Sequence, residues 1–124
     1  MMSKMNICIW GRKFELDVIY KTFDNANATD TQVAAIEEFG KKDQIDDSLE
    51  HVKEYVIKND GKENGITAID NIFRFVMPRC IYVPQEKNRT VAILCDYKFD
   101  PEHGIAVVYE NGEYIAVEEE GVVI

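Results

Sequence analysis

The chain has 124 residues, long enough for one domain to bury a core without disulfides or metals. With 46% hydrophobic and 30% charged residues and three prolines, it is excluded from the disordered and collagen-like classes. A net charge of −9, with no basic run longer than Lys41-Lys42, repels phosphate backbones and favours cationic partners over nucleic acid.

The three cysteines, Cys8, Cys80 and Cys95, lie far apart in apolar runs and read as reduced, buried thiols rather than a zinc site or redox pair. The first apolar run is too short for a signal peptide, and no later one approaches membrane-spanning length. A cytoplasmic location and no membrane contact are therefore expected.

Asn6 to Trp10 is a short apolar run, Gly11-Arg12 a tight connection, and Lys13 to Phe23 alternates through Phe14, Leu16, Val18 and Tyr20. This pattern predicts a β-hairpin whose second strand buries one face, followed by a polar turn at Asp24 to Asn27. Thr29 to Gln32 has the spacing of a capping box, so a helix starts there. Val33, Ile36 and Phe39 mark its apolar face, and Gly40 followed by Lys41 and Lys42 marks its end.

Ile45, Leu49, Val52 and Val56 repeat at helical steps and predict a second helix beginning at Asp43 or Asp46. Asp46 and Asp47 near its start and Lys58 near its end suit the helix dipole, and Asn59-Asp60-Gly61 supplies a stop. His51, among Glu50, Lys53 and Glu54, reads as a solvated surface histidine. Between Ile66 and Pro78 the apolar spacing fits either a helix or a buried strand; a short helix is favoured, then a strand over Arg79 to Val83.

The densest strand signal runs from Thr90 to Val117. It divides into a strand from Thr90 to Phe99, the turn Asp100-Pro101-Glu102-His103-Gly104, a strand from Ile105 to Glu110, the hairpin turn Asn111-Gly112, and a strand from Glu113 to Val117. A two-residue hairpin sets Tyr109 opposite Tyr114, Val107 opposite Ala116 and Ile105 opposite Glu118. Cys95, Tyr97 and Phe99 then share their face, and the helices pack there. Ala92, Leu94, Ala106, Val108, Ile115 and Val117 take the opposite face with Asp96 and Lys98. Val122 to Ile124 reads as a last short strand, a sheet edge through which a second copy could pair.

This register gathers Asp100, Glu102, His103, Glu118, Glu119 and Glu120 at one end of the sheet. Those six form the candidate binding site. With Asp100, Glu102 and His103 as ligands, the alternative is a divalent metal ion, in a metal-binding or metal-dependent hydrolase site. A structural account competes with both: Asp, Pro and Gly at these positions are turn chemistry, with the His103 imidazole bracing the turn. No G-x-S-x-G elbow, phosphate loop or H-E-x-x-H helix is present, and pairing His103 with Cys80 or Cys95 would need an exposed thiol.

The run Cys95-Asp96-Tyr97-Lys98-Phe99-Asp100-Pro101-Glu102-His103-Gly104, with the upstream Val76 to Val83 segment, resembles the C-terminal signature of a bacterial family of domains of unknown function. The resemblance implies a small α+β bacterial domain, sometimes found in toxin–immunity settings, without an assigned catalytic role.

Together these readings predict a single α+β domain over residues 1–124. Its antiparallel sheet comprises an N-terminal hairpin and a C-terminal meander, with two to three helices packed mainly on one face. The functional expectation is a non-enzymatic, acidic binding domain, immunity-like, acting without a cofactor on a basic protein partner.

Overall fold

The first hairpin forms as its alternation predicts. Strands β1 (Met2–Ile9) and β2 (Arg12–Tyr20) pair antiparallel from Met2–Ile19 to Ile9–Arg12, so the connecting turn is Trp10-Gly11 rather than Gly11-Arg12. Both turn residues have positive φ, 50° and 85°, as a two-residue turn matched to strand twist requires. Tryptophan is a poor left-handed residue, and burial offsets the strain: its ring packs 6.0 Å from Phe73 and its Nε1 donates to Ser48 Oγ at 3.1 Å. This computed structural model describes residues 2–23, 27–39, 42–86 and 88–124. Most of the expected Asp24 to Asn27 turn, the Gly40 cap and Lys41 lie outside them.

Helix α1 (Asp30–Phe39) opens with the capping box. Gln32 N donates to Thr29 Oγ1 at 3.2 Å, and Thr29 N donates to Gln32 Oε1 at 2.8 Å. Its inner face is displaced from the expected one: Gln32, Ala35 and Phe39 are buried while Val33 is 44% exposed. Gln32 turns inward because its Nε2 donates to Lys21 O at 2.8 Å and Val83 O at 3.1 Å, tying the helix to the ends of two strands.

Helix α2 (Lys42–Val56) buries Ile45, Val52 and Val56 as its periodicity predicts. The expected stop at Asn59-Asp60-Gly61 does not occur. The chain continues through a π-helical turn (Ile57–Gly61) into a last short turn, α3 (Lys62–Asn64), ending at Gly65 with φ 67°. His51 is exposed, and its ring also stacks on Tyr114 at 4.2 Å. The favoured helix after Ile66 reduces to one 3₁₀ turn, Ile72–Arg74, because strand β3 (Val76–Val83) begins earlier than expected.

Strands β4 (Thr90–Tyr97), β5 (Ile105–Glu110) and β6 (Glu113–Glu119) complete a six-stranded sheet in sequential order. It is mostly antiparallel, with one parallel pair, β2 with β3. An excursion through two helices carries the chain across to the end of the sheet opposite the one it left, so the next strand runs parallel to β2. Pro78 sits beside a β-bulge at Arg79, a place where a strand accommodates a residue lacking N–H.

The Asn111-Gly112 turn has φ 54° and 81° and closes the last hairpin as predicted. Beyond it the register differs: Tyr109 faces Tyr114, but Val108 faces Ala116, Val107 faces Val117 and Ile105 faces Glu119. Ile115 is bulged out and 52% exposed, which moves Val117 to the helix-covered face. The segment expected as a final strand is instead a short helix, α4 (Glu120–Val123), so Val122 to Ile124 is not a sheet edge; the edges are β1 and β6.

The main core lies between α1, α2 and one sheet face, where Phe39 meets Tyr109 edge-on at 5.1 Å. A smaller cluster on the other face joins Cys80, Tyr82, Ala92, Leu94 and Ala106, with Val123 of α4 packed against it. Cys80 and Cys95 are buried and unpaired as expected, and Cys8 is half-buried.

Candidate acidic cleft at the end of the sheet

The π turn builds one wall of the cleft. Asn59 Nδ2 donates to Tyr55 O at 2.8 Å and Asn64 Nδ2 donates to Asp60 O at 2.7 Å, so two polar side chains satisfy carbonyls of the irregular helix. Gly61 is needed because Ile66 N closes onto Gly61 O at 2.8 Å, and a Cβ at Gly61 would stand 2.6 Å from Ile66 O. The outcome is that Asp60 accepts a hydrogen bond from the Tyr97 hydroxyl.

The Asp100 to Gly104 turn builds the opposite wall. Asp100 N donates to Tyr97 O at 3.2 Å and Gly104 N donates to Asp100 O at 2.9 Å. Gly104 has φ 70°, and a Cβ there would stand 2.6 Å from Cys95 O. Turn geometry therefore accounts for the glycine. His103 Nδ1 lies 2.9 Å from Asp100 Oδ1, and the carboxylate holds the imidazole pKa above its ordinary value by that hydrogen bond and by its charge. Phe99 meets Tyr97 edge-on and stacks on Phe75, both at 5.7 Å.

Between these walls lies a cleft of about 270 Å³. Tyr55, Asn59 and Asp60 line it from the helix, Tyr97, Phe99 and Asp100 from the end of β4, and Glu119 from β6. Burial raises the Tyr55 pKa, and the charges of Glu119, Asp60 and Asp100 raise it further. Burial likewise raises that of Tyr97, followed by its hydrogen bond to Asp60. Both phenols thus stay neutral in a negative field.

The six residues singled out in the sequence separate here. Asp100 and Glu119 line the cleft. Glu118 stands opposite Ala106, a residue of the other face, and Glu120 is 9% exposed and bound there to Arg79, which also donates to Asp96 at 2.7 Å. Glu102 and His103 are exposed. Among the described residues, no three His, Cys, Asp or Glu side chains form a group able to hold a metal ion. Tyr55, Asn59 and Asp60 were hidden in what read as a helix end. A Gly61 flanked by asparagines at a spacing that continues the helix is the one signal that could have exposed them.

A family model described as Domain of unknown function (DUF6985) matches residues 2–123. The chain belongs to the DUF6985 family. The match spans nearly the whole chain, in keeping with the expected domain of unknown function, and the family's description assigns no activity. No curated protein and no solved structure matches the chain. Among the described residues, no helix is long and apolar enough to cross a membrane.

Proposed function

We propose that this DUF6985 domain is a non-enzymatic binding module that takes a lysine or arginine side chain of a basic partner protein into the acidic cleft. The supporting observation is that Asp100 and Glu119, from separate elements, open onto one cleft also lined by Tyr55 and Phe99. Carboxylates attract a cation, aromatic faces hold it, and a net charge of −9 draws a basic surface toward the domain. An immunity-like role in a bacterium, in which the domain masks the basic surface of a toxic partner, fits this chemistry.

An arginine-rich peptide titrated calorimetrically at low ionic strength tests the reading. Binding should weaken with salt and fall by about tenfold or more when Asp100→Asn and Glu119→Gln are combined, since one charged hydrogen bond is worth at least that. Glu118→Gln should change little. Equal affinity in all three proteins would refute the cleft as the site. Titration with a divalent cation in the same format separates the metal alternative, which requires His103→Ala to abolish a measurable heat.

A further inference from the structure

The two edges of the sheet are unlike. β6 carries Glu113, Glu118 and Glu119, is bulged at Ile115, and is followed by α4 folded back at its end. Charges, bulges and covering segments are the devices that keep a sheet edge from pairing with another chain. Among the described residues β1 is unbulged and carries a single charge. Its register with β2 is unbroken, it contains no proline, and its one charged residue, Lys4, sits 3.5 Å from Glu15 in an exposed pair of little energetic weight.

The two-residue turn makes Ile9 and Arg12 the hydrogen-bonded pair beside it, so the alternate residues Lys4, Asn6 and Cys8 direct their N–H and C=O groups away from β2. Beside this row lies a concavity of about 520 Å³ lined by Asn6, Ile7, Cys8, Lys13, Phe14 and Glu15. The local charge is also reversed. Residues 1–23 hold Lys4, Arg12, Lys13 and Lys21 against Glu15 and Asp17, a positive hairpin on a chain of net −9. Arg12 is occupied over the Phe73 ring at 4.1 Å; Lys13 is exposed and, among the described residues, makes no ion pair.

We propose that the outer edge of β1 is a strand-addition site for an extended acidic peptide segment of another protein, with the concavity beside Lys13 receiving one of its side chains. Main-chain hydrogen bonds to Lys4, Asn6 and Cys8 supply affinity, and the concavity and Lys13 supply selectivity. A second copy of the chain fits less well, because antiparallel pairing of two β1 strands sets like-charged hairpins together on two strongly acidic bodies. The site is separate from the acidic cleft and does not depend on it.

A fluorescein-labelled peptide of alternating valine and glutamate, followed by anisotropy at low salt and by amide NMR, tests the proposal. Saturable binding is expected, with shifts concentrated on residues 3–9, and Lys13→Glu should weaken it several-fold. The same peptide N-methylated on alternate amides should bind about tenfold or more weakly, as loss of main-chain hydrogen bonds requires, with the protein itself unaltered. No saturable binding, equal binding of the N-methylated peptide, or equal binding of a valine–lysine peptide would each overturn the proposal. So would a homodimer through β1 in sedimentation velocity, which would give the edge to a second copy.

Discussion

Ser48 is the residue on which three distant parts of the chain meet. Its Oγ accepts from Trp10 Nε1 at 3.1 Å and from the Tyr109 hydroxyl at 2.7 Å, and donates to Ile45 O at 2.5 Å, in a fully buried position. Ser48→Ala should cost about 1–3 kcal/mol, the price of leaving two buried donors unpaired, read from urea denaturation. Nothing in the sequence marks this serine. Periodicity weighs only apolar residues, and its partners lie 38 and 61 positions away. His103, by contrast, drew notice in the sequence, and its sharpest contact is with its own turn. Because Asp100 raises its pKa in the folded state, the pair's contribution is fully present below the ordinary value near 6.5 and is lost as pH rises through the raised value. The NMR titration midpoint of His103 should lie above that ordinary value and return to it in Asp100→Asn. An unchanged midpoint would remove the pair from solution.

At the scale of elements, the parts that follow local rules were readable and the irregular ones were not. The capping box, both hairpins and the α2 stripe rest on spacings of a few residues, and each forms. The π turn was not readable in this way, because Asn59-Asp60-Gly61 has the composition of a helix end, and it is the Asn59 and Asn64 side chains with the contacts to Ile66 and Tyr97 that carry the helix past it. Gly61→Ala drives a Cβ into Ile66 O and should destabilise the fold by about 1–3 kcal/mol. It should also displace Asp60 from Tyr97. The second effect is the decisive one, visible as altered tyrosine fluorescence or near-ultraviolet dichroism at temperatures where the variant remains folded. The same reasoning explains the cleft. Asp100 and Glu119 were named from the sequence, but Asn59 and Asp60 join them through a turn that the sequence reads as a stop.

For the whole molecule, the α+β class and the helices on one sheet face follow from pattern alone, since strands with one apolar side need a cover. The parallel β2–β3 pair depends on where the helical excursion returns, and α4 depends on Arg79, so neither is a local property. Arg79 leaves the β3 bulge to hold Glu120 and Asp96 together, fastening α4 over the second apolar cluster. Arg79→Met should loosen α4 while sparing the main core. Amide exchange of residues 120–124 should rise by about tenfold or more, with protection in β4 and β5 unchanged. Uniformly faster exchange would instead make α4 part of the global cooperative unit.

The bulge at Ile115 works as a parity switch. Every residue of β6 beyond it lies on the side of the sheet that an unbulged strand would have given to its neighbour, which is how Glu119 rather than Glu118 comes to line the cleft. A loss of one residue between Tyr114 and Glu118 is therefore a frameshift in space. It would exchange the outward and inward carboxylates with almost no change in composition, so members of the family differing in length by one residue here would present different charges at this end of the sheet.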